Sequence, residues 1–176
     1  DLRVIGLYSS VEDEKIAELT QALLYLNEMN RLLPEGKEKK PVEFYINTYG
    51  GSADDMFAMY DVMQQVMEET EIHTIGVGKV MSAGTLLLAA GTKGTRKIGK
   101  NCRVMIHNVA AGNFGTLPNL ANELEAIQQL QEDYISAMVE NTKFTRKKLE
   151  KLLNEKVNIY LSAEEAVKYG LADEIM

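Results

Sequence analysis

The sequence predicts a layered α/β fold, and three observations carry that expectation. Short apolar runs of strand length alternate along the whole chain with longer stretches whose apolar residues recur every three or four positions. Several strand-like runs end in glycines followed at once by a capping residue, which is how strand–turn–helix units are punctuated. No internal repeat is visible, and 176 residues, of which 45% are apolar, are enough for one sizeable core, so a single domain over 1–176 is expected.

Arg3 to Leu7 (RVIGL) reads as a short buried strand, and Ser10 with Asp13 can cap a helix carrying Ile16, Leu19, Leu23 and Leu26 on one face. Leu33 to Pro41 (LPEGKEKKP) has a proline near each end and a charge run between, so it reads as a surface loop. Val42 to Ile46 (VEFYI) is the next strand. It runs into Asn47-Thr48-Tyr49-Gly50-Gly51-Ser52, where adjacent glycines admit backbone conformations that other residues resist and bring bare N–H groups close to a ligand. Ser52 with Asp55 predicts a capping box for a helix whose stripe of Met56, Met59, Tyr60, Met63 and Met67 reads as core packing.

Ile72 to Val77 predicts a third strand, ending in the glycines of Gly76 to Gly91 (GVGKVMSAGTLLLAAG). After it a lone hydroxyl, Ser82, stands between Met81 and Ala83, and Gly84 opens a run, TLLLAA, that is apolar on every side and therefore buried. Such a turn lifts one side chain out and leaves the first N–H groups of the helix unpaired. Ser82 is placed as a nucleophile would be, and equally as an N-cap; the stretch alone does not choose. Gly91 to Thr95 lacks the spacing and the terminal Gly-Lys-Ser/Thr of a phosphate loop.

Arg103 to Ile106 (RVMI) is a fourth strand, with His107 at its C-terminal end, where α/β proteins usually place their chemistry. Asn108 to Gly115 (NVAAGNFG) reads as an extended arm or loop. The longest helix runs from about Leu117 to Asn141, with Leu120, Leu124, Ile127, Leu130, Tyr134 and Met138 along one side. At about 35 Å it is as long as a small domain is wide, so it is expected to project. Thr145 starts a short basic helix (TRKKLEKLL), and Val157 to Leu161 (VNIYL) reads as a strand. Ser162 with Glu165 forms a capping box for a last helix that Gly170 ends.

A net charge of -7 and a pI near 5.0 argue against nucleic-acid or anionic-membrane partners, which require a basic patch. One cysteine, Cys102, excludes an internal disulfide, and the histidines and cysteine lie too far apart for an HExxH or CxxC ligand set, so neither a metal nor a cofactor is expected. No apolar stretch reaches the length of a membrane span and no signal-peptide pattern opens the chain, which makes the cytoplasm the expected compartment.

Three polar residues stand at strand ends or turns: Ser82, His107 and Asn158. A hydroxyl is a weak nucleophile unless a base adjoins it, and the base needs an acceptor that fixes its tautomer, so these are the residue types that a nucleophile, base and orienting group require. The strings INTYGGSADDMFAMYD, GKVMSAGTLLLAAGTKGTR, NCRVMIHNVAAGNFG and YLSAEEAVKYGLADEI, in that order, resemble the Clp protease family, the self-compartmentalised serine peptidases called ClpP. The similarity runs from Arg3 to Met176.

The resemblance implies a ClpP/crotonase-like spiral of repeated β-β-α units with a long projecting handle helix. It divides the chain into a head, about 1–107 and 142–176, and a handle, about 108–141. It maps Ser82 as nucleophile, His107 as general base, and the N–H groups of Gly51 and Ala83 as the oxyanion hole. Gly50 of the double-glycine turn and Gly112, Asn113 and Phe114 of the arm map to substrate contacts, the arm pairing with an extended peptide by strand addition. It further implies a homo-oligomer of two stacked heptameric rings, fed with unfolded polypeptide by a hexameric AAA+ ATPase. Two departures stand out. Asn158 occupies the position where most relatives carry the third, acidic member, and Thr48-Tyr49 replaces the Ser-Pro that often precedes the two glycines. An amide can accept from His Nδ1–H but cannot stabilise an imidazolium by charge, which leaves open a weak or non-catalytic subunit of a mixed ring. The crotonase-type acyl-CoA enzymes, which share the oxyanion hole without a Ser–His pair, are the remaining alternative.

Overall fold

A computed structural model describes residues 2–176. It contains β1 (Val4–Leu7), α1 (Asp13–Arg31), β2 (Val42–Thr48), α2 (Ala53–Val66), β3 (Ile72–Met81), α3 (Ala83–Ala89), β4 (Lys97–Ile98), β5 (Arg103–Ile106), α4 (Leu117–Asn141), α5 (Arg146–Glu155), β6 (Ile159–Leu161), α6 (Ala163–Lys168) and β7 (Glu174–Ile175). This is the mixed α/β architecture that the alternation predicts.

The sheet runs in the order β1-β2-β3-β4-β7 with every pair parallel, and it forks at β3. The first half of β3 pairs with β4 (Ile75 with Lys97), while the second half pairs with β5 (Lys79 with Arg103, Met81 with Met105). Between the halves Gly78 adopts a φ of 66°, which bends the strand from one partner to the other. The sequence reading ended β3 at these glycines. The strand instead continues to Met81, its pairing with β2 resuming after an irregularity that shifts the register from Ile46–Gly76 to Thr48–Val80. So β3 supplies two strand segments ahead of α3, a β-β-α unit. β6 closes the fork antiparallel to β5, with Ile106 opposite Ile159.

Parallel sheets are covered on both faces, and the core follows that rule. Leu7, Phe44, Ile46 and Ile72 of the sheet are fully buried, as are Leu23 of α1 and Met59 and Met63 of α2, so the methionine stripe is core. All seven residues of α3 are buried. The helix that carries Ser82 at its start is therefore packed on every side.

Several local expectations change. Ser10 does not cap α1; Val11 forms a parallel bridge with Gly51, so the chain is still extended there and Glu12 is the N-cap. Ser52 Oγ accepts from Asp55 N as expected, but the Ser52 N–H goes to the Val11 carbonyl, leaving only half of a capping box. Ser162 and Glu165 do form the full box. Val157 lies outside β6 and is exposed. The two-residue strands β4 and β7 are too short to leave a periodic signal.

α4 has two halves. Tyr134, Ile135, Ala137 and Met138 bury its C-terminal part, whereas every residue from 110 to 126 is exposed, Leu117 and Leu124 among them. The projecting end begins with Pro118 in its first turn, where the missing N–H costs nothing. At the other end Arg96, 4% exposed, binds both oxygens of Asp173 (Nη2 to Oδ1 2.7 Å, Nε to Oδ2 2.8 Å). Its Nη1 donates to the last carbonyls of α3 and α4, Ala89 at 2.8 Å and Asn141 at 2.7 Å. One guanidinium thus joins two helix ends to the strand pair β4–β7.

Candidate active site

Ser82 is the only non-glycine residue with positive φ among the described residues, at φ 52° and ψ −123°. Such a conformation persists only where its surroundings enforce it. The Ser82 N–H extends the β3–β5 ladder to the Met105 carbonyl at 2.8 Å, and the Ser82 carbonyl accepts from Thr85 twice, from N at 3.0 Å and from Oγ1 at 2.6 Å. Its hydroxyl makes no helix-capping bond. It lies instead 2.7 Å from His107 Nε2, so Ser82 holds the N-cap position of α3 without its side chain serving as a cap.

His107 follows β5 directly, so the ladder that carries Ser82 also carries its partner. The chain beyond His107 is clamped by Gln131 of α4, whose Oε1 accepts from Val109 N at 2.7 Å and whose Nε2 donates to Asn108 Oδ1 at 2.8 Å. Asn108 Nδ2 in turn donates to the Leu153 carbonyl near the end of α5 at 3.1 Å. Continued by one residue, the β5–β6 register places Asn158 across from His107. The Asn158 side chain is exposed, however, and no hydrogen bond joins it to His107.

The double-glycine turn faces Ser82. Gly50 has a φ of 103°, and a Cβ there would lie 2.6 Å from Ser82 Cβ and 3.1 Å from Ala83 N. Gly51 is held by the bridge to Val11, whose N–H donates to the Gly50 carbonyl at 2.9 Å. Neither Gly51 N nor Ala83 N donates to any group among the described residues. Two free N–H groups beside a hydroxyl in contact with an imidazole are the parts needed to receive an oxyanion.

Gly51, Ser82, Ala83 and His107 line a recess of about 180 Å³ together with Ala53, Met56, Val109 and Tyr134, while Gly50 lies outside its lining. Burial pushes the Tyr134 phenol up to about 12, the Thr85 hydrogen bond opposing it, so the group stays neutral and can donate. Cys102 is buried away from the site and its thiol is pushed up to about 11 by desolvation, which makes it inert. Gly112, Asn113 and Phe114 stand apart from the recess on the exposed arm, Phe114 being 99% exposed. Among the described residues no cluster of metal-ligating side chains occurs.

A model of the Clp protease family matches residues 1–176. The chain belongs to the Clp protease family. It is also 33% identical over 174 residues to an ATP-dependent Clp protease proteolytic subunit from Deinococcus radiodurans, a match covering 99% of this chain and 80% of that one. Membership of the Clp protease family makes it a protease subunit of the Clp type, as the motifs around Ser82 and His107 imply. Three residues of the site escaped the sequence reading. Thr85 was visible only as part of a buried run, although a hydroxyl three positions after a helix's first cap is within reach of that cap's carbonyl. Tyr134 was one member of a core stripe, and nothing in the sequence marks Gln131.

Proposed function

We propose that this chain is a serine endopeptidase subunit that cleaves unfolded polypeptide through an acyl-enzyme. Ser82 Oγ attacks the peptide carbonyl carbon while His107 Nε2 takes the hydroxyl proton. The oxyanion that forms is received by the N–H groups of Gly51 and Ala83. His107 then gives the proton to the leaving amine, and a water activated by the same imidazole releases the acyl group from Ser82. Each oxyanion donor contributes about 3–4 kcal/mol of transition-state stabilisation. The observation that carries the reading is the 2.7 Å contact between His107 Nε2 and Ser82 Oγ on a backbone held at positive φ. That contact also weighs against acyl-CoA chemistry, which does not call for it.

The exposed half of α4 and the arm before it support a division into a head, about 1–107 and 142–176, and a handle, about 108–141. Leu117, Leu120, Leu124 and Phe114 on that handle are apolar and exposed, the surface that ring-to-ring contact of stacked heptamers would cover. The arm around Gly112, Asn113 and Phe114 would pair with extended substrate, with an AAA+ unfoldase delivering it. The proposed setting is the cytoplasm; among the described residues no helix is long and apolar enough to cross a membrane. One observation favours a second reading, a ring subunit of low activity beside an active paralogue: no hydrogen bond joins the exposed Asn158 to His107. Purified homomeric protein cleaving a fluorogenic peptide, with Ser82→Ala inactive at unchanged native mass, is the expected result. An unchanged rate in Ser82→Ala would refute the mechanism.

A further inference from the structure

Behind Ser82 runs a buried hydrogen-bond chain that the mechanism above does not use. Thr85 Oγ1 lies 2.6 Å from the Ser82 carbonyl and 3.0 Å from Tyr134 Oη. The threonine hydroxyl has one proton. If it is given to the carbonyl, Thr85 can only accept from Tyr134, and the phenol, 4% exposed and with no other polar partner, is the donor. The direction of the chain is therefore fixed: Tyr134 O–H to Thr85 Oγ1, then Thr85 O–H to the Ser82 carbonyl.

That carbonyl belongs to the same planar peptide unit as the Ala83 N–H. No peptide bond among the described residues is cis, so the two groups point in opposite directions. Holding the Ser82 carbonyl inward, toward α3, holds the Ala83 N–H outward, toward the recess. Rotation of this one peptide plane would turn the N–H away and offer the recess a carbonyl, which repels an oxyanion. The positive φ of Ser82 makes the plane a strained one, and Thr85 supplies both bonds that restrain it.

We propose that Thr85 and Tyr134 are positioning residues that lock the Ser82–Ala83 peptide so that the Ala83 N–H faces the substrate carbonyl. Neither touches the reacting atoms. A threonine hydroxyl in a helix can turn to either of two preceding carbonyls, and the donor from Tyr134 selects the turn that restrains Ser82. Two linked hydrogen bonds also polarise one another, which tightens the hold. The inference rests on Ser82 and Ala83 having the roles proposed above.

The test is a double-mutant cycle in the assembled protein, read by peptide kcat and KM and by the rate at which a fluorophosphonate labels Ser82. Tyr134→Phe keeps the ring and loses only the donor; it is expected to lower both kcat and the labelling rate about tenfold, with KM within about twofold. Thr85→Val is expected to lose at least as much, and Thr85→Ser, which keeps the hydroxyl, to retain more than about a third of the rate. Because Tyr134 acts through Thr85, adding Tyr134→Phe to Thr85→Val should cost nothing further. Wild-type rates in Tyr134→Phe, or losses that multiply in the double variant, would overturn the proposal while leaving Ser82 as nucleophile. A wild-type protein that neither cleaves peptide nor labels at Ser82 would remove both readings. Native mass is followed in parallel; should Tyr134→Phe disturb assembly through α4, the Thr85→Ser and Thr85→Val pair decides alone.

Discussion

Replacing Arg96 by methionine is the substitution whose cost can be worked most directly. The guanidinium is 4% exposed and makes two bonds to Asp173 and one each to the carbonyls of Ala89 and Asn141. Methionine fills much of the same volume, so the loss is electrostatic. Removing one partner of a buried pair costs about 3–5 kcal/mol, because the other charge stays behind unpaired. Asp173 remains about a quarter exposed and keeps its bonds from Gly94 N and Arg96 N, which places the expected loss at the lower end, about 3 kcal/mol. Urea unfolding at fixed protein concentration measures it, since assembly makes stability concentration-dependent. The pH dependence gives a second reading. Arg96, chiefly by hydrogen bonding, holds the Asp173 carboxyl down at about 2, below its ordinary 3.8. A depressed folded-state value stabilises above the unfolded value and is lost as the carboxylate is protonated. Wild type should therefore lose this stability as pH falls from about 4 to about 2, and Arg96→Met should lack that component. A change below about 1 kcal/mol with an unaltered acid profile would refute the reasoning.

The Leu117→Glu, Leu124→Glu double variant should leave the subunit's fold intact, because both side chains are exposed, and should lower the native mass of the assembly; sedimentation velocity checks it, and unchanged mass would show that this face is not the contact. Gly50→Ala sets a Cβ 2.6 Å from Ser82 Cβ at a φ of 103° and should reduce peptide turnover by about tenfold or more at unchanged native mass, read by steady-state kinetics. Gln131→Leu removes both amide bonds to the segment after His107 and should lower kcat more than it raises KM.

The elements legible in the sequence were those with a long periodic signal or a chemically marked end. α4 carries its stripe through 25 residues and was placed at Leu117 to Asn141, as found. Ser162 with Glu165 marked α6. Ser82 and His107 were legible as strand-end polar residues, and their meeting follows from β3 and β5 being neighbours, which periodicity does not state. What could not be read depends on partners distant in sequence. Val11 takes the Ser52 N–H from 41 positions away by numbering, which leaves Ser52 only half of its capping box, and its bridge to Gly51 moves the α1 cap from Ser10 to Glu12. Arg96 is one of three basic residues, with Lys93 and Lys97, that follow an apolar run, and nothing in that stretch points to Asp173, 77 positions on. Tyr134 reads as core until its hydroxyl meets Thr85.

Asn158 is where these lines converge. The β5–β6 ladder brings its backbone opposite His107, yet its side chain is exposed and unbonded to the imidazole. The ring is held instead by the strand before it and by the Gln131–Asn108 clamp after it, so position and charge have been separated. Backbone clamping fixes where His107 stands but offers nothing to the imidazolium that the proposed mechanism forms when Ser82 gives up its proton. In serine proteases, replacing the acid by an amide costs about 10⁴ in turnover, largely through the wrong tautomer. Here no group among the described residues accepts from Nδ1, so both the tautomer-fixing acceptor and the charge are missing. Asn158→Asp should accordingly raise kcat, by about tenfold if the new carboxylate turns inward to Nδ1, and the gain should appear only above the carboxylate's pKa. Asn158→Ala should change kcat little, because nothing rests on the amide as it stands. A large loss in Asn158→Ala would show that Asn158 turns to His107 during turnover and is the third member after all.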